Sequence, residues 1–179
     1  IQQKFFSVMT SVYYFRYKYL TGKEDDTFKL TGGRIEQPKV DQLDKKLITL
    51  LSNQGRLQLV EIARQLNTTA KVVQHRMKKL MQAGVITCYN VKINHKALGY
   101  TQRKVMLNLN DTSGETMKKL TSFITYHPLT IYITIAIGQY DFEFEMMEQS
   151  HEDFHNIMKE LKNRFHGMIK NYFTVIFYN

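Results

Sequence analysis

The sequence predicts an α+β protein in two parts, on three observations. Apolar residues recur at helical spacing in three short runs between positions 43 and 80. A strict apolar alternation then appears at Ile131, Ile133, Ile135 and Ile137. The second half reads strand, helix, strand, strand, helix, strand, which is the ferredoxin-like βαββαβ arrangement.

Leu43, Leu47, Leu50 and Leu51 lie on one face of a first helix, and Gly55 suits the left-handed residue that closes it. A short second helix buries Leu59, Ile62, Ala63 and Leu66. Asn67 can take the left-handed turn, and Thr68 or Thr69 caps a third helix. That helix carries Arg76, turns Val72, Val73, Met77 and Leu80 inward, and ends at Gly84. Strand formers from Ile86 to Ile93 read as a hairpin.

In the second half, Val105, Leu107 and Leu109 share one face of a strand. Thr112 and Glu115 form a capping-box pattern that opens a helix with Met117, Leu120 and Ile124 inward, and His127-Pro128 stops it. After the isoleucine strand, Gly138-Gln139-Tyr140 turns the chain into a strand with Phe142, Phe144 and Met146. Ser150 and Asp153 cap a helix that buries Phe154, Ile157, Met158, Leu161 and Phe165, and Tyr172 to Tyr178 is a last strand.

Charge points toward a partner. The 179 residues carry a formal net charge of +9. Residues 36–99 hold 11 Lys and Arg against 4 Asp and Glu, whereas residues 100–179 hold 8 against 9. A basic middle third attracts nucleic acid, although a solvated basic surface has the same composition. The third helix sharpens this. Its outer side carries Thr69, Lys71, Gln74, His75, Lys78 and Lys79, with Arg76 spaced to reach a phosphate or to fold back. Three short helices, a hairpin and such a face predict a winged helix-turn-helix over residues 40–93, with double-stranded DNA as the partner. A three-helix bundle with a solvated basic helix is the bland alternative.

These residues resemble a family. Val40-Asp41-Gln42-Leu43-Asp44-Lys45-Lys46-Leu47-Ile48, Gly55-Arg56-Leu57, Val60 to Asn67, then Val73, Arg76, Leu80 and Gly84-Val85-Ile86 are similar to the leucine-responsive/asparagine-operon (Lrp/AsnC) regulators. Asn94 to Tyr100 resembles their linker, here residues 94–101, and Ile137-Gly138-Gln139-Tyr140-Asp141 resembles their effector-loop motif. The resemblance implies a transcription regulator that assembles as a homodimer or larger oligomer through a ferredoxin-like domain at 102–179. It also implies a small effector, such as an amino acid, at Gly138, Tyr140 and Asp141. An ordinary turn between strands would use Gly138 and Asp141 equally well. The chain departs from the family at Gln58, Asn67, Thr68 and Ala70, which puts transfer of any DNA sequence preference in doubt. Some proteins of this two-domain type are sirohaem decarboxylases, and for that alternative His95, His127 and Arg103 are the residues to watch. An effector-independent architectural DNA-binding protein is the other alternative.

The N-terminal residues echo the C-terminal ones. Phe6, Met9 and Tyr13 match Phe165, Met168 and Tyr172 without a gap, and Tyr19 matches Tyr178. Residues 1–20 are therefore expected to be a helix end plus strand from a preceding copy of the C-terminal domain, joined by a linker at 21–39, as in an archaeal-type tandem member with a truncated N-terminus. The aromatic run Tyr13, Tyr14, Phe15, Tyr17 and Tyr19 then belongs to a strand packed in or beside a sheet.

Other features carry little chemistry. His151 and His155 stand four apart, but two histidines make no metal site and a solvated helix face explains them. Cys88 is the single cysteine, which excludes a disulfide framework, fits a reducing cytoplasm and reads as a small half-buried residue. No apolar run approaches a membrane span. No catalytic constellation or cofactor motif is recognisable, so neither an enzyme nor a cofactor is expected.

Overall fold

The computed structural model describes residues 6–15, 17–22, 28–31, 38–89 and 91–178. They form two compact units, one from residues 35–93 and one from residues 1–34 with 94–179.

In the first unit, helices α2 (Gln42–Asn53), α3 (Leu59–Gln65) and α4 (Ala70–Gln82) enclose Leu47, Leu51, Ile62, Ala63, Val73 and Leu80. Each helix begins where a side chain can satisfy orphan amides or the backbone is extended. Asp41 and Asp44 form a reciprocal capping box on α2, and the Thr69 hydroxyl accepts a hydrogen bond from Val72 N at 3.3 Å to start α4. Gln58 precedes α3 without a side-chain cap. Asn67 takes the left-handed turn between α3 and α4 with φ 50°.

Some local expectations change here. Gly55 lies outside the left-handed region, because α2 closes at Gln54, whose amide donates to Leu50 O at 2.9 Å. Val72 is partly exposed at 38% rather than inward, since the bundle's contact stripe on α4 is filled by Val73 and Leu80. The expected hairpin does not form among the described residues 86–93. The amides of Val85 and Ile86 both donate to Leu80 O, so this stretch closes α4 and seats Val85 and Ile86 on the core. Tyr89 and Val91 are left exposed, and a strand needs a surface to pack on. Cys88 is exposed rather than half-buried for the same reason.

The second unit is built on one antiparallel sheet of order β2-β1-β4-β5-β3-β6. Its strands are β1 (Ser7–Phe15), β2 (Phe28–Thr31), β3 (Thr101–Leu109), β4 (Thr130–Gly138), β5 (Phe142–Glu148) and β6 (Ile169–Phe177). With helices α5 (Gly114–Tyr126) and α6 (His151–Arg164), β3 to β6 give the βαββαβ order expected from the sequence. Val105, Leu107, Leu109, Ile133, Phe142, Phe144 and Met146 meet Leu120, Ile124, Ile157, Met158 and Leu161 in one core. The alternation in β4 holds through Ile135, which pairs with Phe142. Beyond that point β4 pairs with β1 alone, and Ile137 is 70% exposed. Ser150 and Asp153 cap α6 as expected. The cap of α5 is Ser113 instead of Thr112, because Asp111 draws the Ser113 amide, the Ser113 hydroxyl and the Thr116 hydroxyl into one turn.

The N-terminal segment differs most from expectation. The strand Ser7–Phe15 comes first and the four-residue helix α1 (Lys18–Thr21) follows it, reversing the expected order of helix end and strand. β1 extends the free edge of β4 in register from Ser7↔Gly138 to Tyr14↔Tyr132. It joins the C-terminal domain's own sheet because Phe15, 1% exposed, fills that domain's core and Tyr13 packs beside it. The expected linker at 21–39 contains β2, which pairs with β1 from Val12↔Thr31 to Phe15↔Phe28. The expected linker at 94–101 holds a 3-10 turn, Lys96–Leu98, and the first residue of β3. Residues 1–5 lie outside the described residues. No described helix is long and apolar enough to cross a membrane.

Candidate nucleic-acid interface

α4 is divided lengthwise by its own periodicity. Val73 and Leu80 face the core, and Thr69, Lys71, Gln74, His75, Lys78 and Lys79 are exposed. The sequence-predicted contact residues other than Arg76 therefore share one solvent face that begins at the capped N-terminus of the helix. Lysine neutralises phosphate charge, and glutamine and lysine can also meet base edges in the major groove. Lys79 Nζ also lies 3.8 Å from Asp44 Oδ2, at the margin of this face.

Arg76 departs from the expectation of a free DNA contact. Its Nη1 donates to Asp41 Oδ2 at 2.6 Å and to Asp44 Oδ1 at 2.7 Å. Position 76 lies beside the buried stripe of α4, close enough to the start of α2 for the side chain to fold back. The Arg76 hydrogen bond holds the Asp41 carboxyl below its usual range, and the two carboxylates raise Arg76 in turn. Asp41, Lys71, Val72, His75, Arg76 and Lys79 line a depression of about 450 Å³. The sequence reading missed Asp41 and Asp44 as partners. Their only local signal was the i, i+3 acidic pair at a helix start, which reads as a cap.

The second unit holds the predicted effector residues. Gly138 has φ +145°, and a Cβ there would collide with the Phe6 carbonyl and lie 2.8 Å from Ser7 Cα. The close approach that glycine permits is thus made by the start of β1. Gln139 N also donates to Ser7 Oγ at 3.2 Å. Asp141 Oδ2 accepts from Leu109 N at 2.8 Å, and Asp141 N donates to Leu107 O at 3.0 Å, so this residue ties the turn to β3. The Tyr140 hydroxyl accepts from Gln139 Nε2 at 3.4 Å.

His95, His127 and Arg103 each have different partners. The Tyr19 hydroxyl and His95 Nδ1 share a hydrogen bond at 2.5 Å, and burial, with Tyr17 and Tyr100 nearby, pushes the Tyr19 pKa up to about 12. Leu129 N donates to His127 Nδ1 at 3.4 Å, on the wall of a groove of about 1000 Å³ between α5 and α6. Arg103 makes a two-pronged buried pair with Glu148, stacks on Phe154, and has His151 Nδ1 at 3.4 Å. His151 thus faces an arginine.

Burial lowers the pKa of His95. At His127 burial also dominates, with Lys18 adding to it and Glu160 and Asp153 opposing it. Both folded-state values fall below the unfolded value of about 6.5. Their contribution to stability is therefore complete above that pH and is lost as pH falls through the folded values. The urea midpoint should drop between about pH 6.5 and pH 5. A His95→Asn/His127→Asn variant should show a flatter profile over this window, and a wild-type midpoint constant down to pH 5 would refute the assignment.

Comparison with known proteins agrees with this architecture. The winged helix-turn-helix DNA-binding family matches residues 40–87. An uncharacterized HTH-type transcriptional regulator of Pyrococcus furiosus is 28% identical over 123 residues, covering 69% of this chain and 82% of that protein. The leucine-responsive regulatory protein of Rhizobium meliloti is 28% identical over 127 residues, 70% of this chain and 81% of its own length. That match is too long for the helix-turn-helix alone and takes in the second domain. The chain is similar to the Lrp/AsnC regulators. Solved Lrp/AsnC structures share the fold. Escherichia coli AsnC superposes with a TM-score of 0.66 at 20% identity, covering 79% of this chain and 94% of that one. A Neisseria meningitidis transcriptional regulator in complex with L-Met superposes with a TM-score of 0.69 at 15% identity, covering 79% and 91%. With a helix-turn-helix DNA-binding domain and transcription regulators as relatives over most of their length, the chain is a DNA-binding transcription regulator.

Proposed function

We propose that this Lrp/AsnC-like regulator grips specific double-stranded DNA sites in the cytoplasm with the outer face of α4, as a dimer or larger homo-oligomer whose assembly is biased by a small effector such as an amino acid. The observation that carries the reading is the lengthwise division of α4, with Lys71, Gln74, His75, Lys78 and Lys79 exposed opposite a buried apolar stripe. Lys71 and Gln74, near the N-terminal end, are the base-edge readers, and Lys78 meets phosphate. Lys71→Ala with Gln74→Ala should cut binding to a genomic site by about tenfold or more. Lys78→Ala should weaken all DNA alike and lower the salt slope by about 1. Electrophoretic mobility shifts at several salt concentrations check both, and unchanged binding in every variant would sink the recognition-helix assignment.

Assembly through the βαββαβ domain is supported by Phe173, Val175 and Phe177, which share one face of β6 and are exposed. The effector reading is supported by the L-Met complex of the Neisseria regulator. In this chain the Asp141 carboxylate uses Oδ2 on Leu109 N, which leaves further acceptor positions for an ammonium group. By linkage, an effector that favours one assembly changes which operator half-sites are held together. L-Methionine and the other L-amino acids should be screened by thermal shift. A ligand at 100 times its Kd adds about 2.7 kcal/mol to native stability, whereas the effector-independent architectural alternative predicts no shift with any of them.

A further inference from the structure

Arg76 presents a problem for the recognition-helix reading. It is a cation on α4, yet its charge faces two carboxylates of α2. The atoms used resolve the conflict. Both contacts are made by Nη1, one to each aspartate. A guanidinium has five N–H donors in a rigid planar fork, so fixing Nη1 fixes the direction of the others. Among the described residues, Nε and Nη2 make no hydrogen bond. The Arg76 side chain is 24% exposed and lines the same depression as Lys71, His75 and Lys79.

The carboxylates are themselves held. Asp44 is fully buried, and its Oδ2 accepts from Asp41 N at 3.2 Å while Asp41 Oδ1 accepts from Asp44 N at 2.8 Å. The capping box thus leaves each aspartate one further oxygen contact to Arg76, so neither carboxylate can turn away without uncapping α2.

We propose that Asp41 and Asp44 are positioning residues for DNA binding, holding Arg76 by Nη1 so that Nε and Nη2 are offered to a backbone phosphate seated beside Lys71, His75 and Lys79. This rests on α4 being the recognition helix. The sign of one substitution separates positioning from bulk electrostatics. An aspartate at a DNA-facing surface repels phosphate, so removing its charge should tighten binding to all DNA. A positioning carboxylate predicts the reverse, weaker binding to all DNA.

Asp41→Asn is the informative variant, because asparagine remains a good N-cap but has a single acceptor oxygen and cannot serve both Asp44 N and Arg76. The probe is a duplex enriched by the wild-type full chain from a random-sequence pool, with a shuffled duplex of equal length as reference. Asp41→Asn and Arg76→Lys should each weaken the enriched and the shuffled duplex alike, by about tenfold, because a phosphate contact reads no base sequence, although Arg76→Lys preserves the charge. The double variant should bind no more weakly than Arg76→Lys alone, because the aspartate acts through the arginine. Thermal melting checks that each variant is folded, and Asp41→Asn spares the buried Asp44 for that purpose. Tighter binding of both duplexes by Asp41→Asn, or wild-type affinity in Arg76→Lys, would overturn the proposal. If Lys71→Ala with Gln74→Ala also binds as wild type, the recognition-helix reading fails with it. If only that double variant loses binding, the failure belongs to the positioning role alone.

Discussion

Replacing Glu148 by Leu should cost about 3–5 kcal/mol of unfolding free energy, one of the two largest effects expected of a single change in the second unit. Arg103 and Glu148 are buried, with side chains 7% and 3% exposed, and are joined by Nε–Oε2 at 2.8 Å and Nη2–Oε1 at 2.7 Å. Removal of the carboxylate strands a guanidinium against the Phe154 ring, with His151 Nδ1 at 3.4 Å. A buried charge without its partner bears the full desolvation penalty, whereas an apolar pair of similar volume bears none. Arg103→Met with Glu148→Leu should therefore recover most of the loss, and urea denaturation of the two variants measures the difference. A double variant as unstable as the single would show that the pair contributes net stability rather than mutual neutralisation.

Gly138→Ala is the second, with an expected loss of about 3 kcal/mol. Two causes act together. Only glycine is at ease at φ +145°, and the added methyl would enter the backbone of Phe6 and Ser7. The chain has to give where it is least covered, at the start of β1, so the Ser7↔Gly138 end of the ladder should open first. Amide exchange in β1 should accelerate before that in β3 or β5. Unchanged stability in the absence of any ligand would refute the close approach of β1. If such a variant also lost effector binding, the glycine would be reserved for a ligand instead of for the strand.

The ferredoxin-like order and the three-helix unit were legible because each rests on local periodicity. Val105, Leu107 and Leu109 alternate because a strand has two faces, and all three are buried. Thr69 and the Ser150–Asp153 pair were readable because a cap bonds within three residues of itself. The exposed face of α4 followed from the same periodicity. Gly55 and Thr112 misled because several residues in a loop can close or open a helix, and tertiary contacts select among them. The segment 86–93 misled because β-branched composition reports a preference for a packed surface, and that surface did not materialise.

The sequence by itself determined the types and order of the elements, the apolar faces, the basic side of α4 and, through its motifs, the likeness to the Lrp/AsnC regulators. Tertiary structure alone decided three matters. It placed residues 7–15 on the edge of β4, more than 100 residues away in sequence, where an open row of backbone groups and a core site for Phe15 were waiting. It turned Arg76 toward Asp41 and Asp44, 35 and 32 positions earlier. It also set Gly138 against β1. The physical reason is common to all three. Helix periodicity and capping are satisfied by neighbours along the chain, whereas strand-edge pairing and buried ion pairs are satisfied by whichever distant groups the packed core brings within reach.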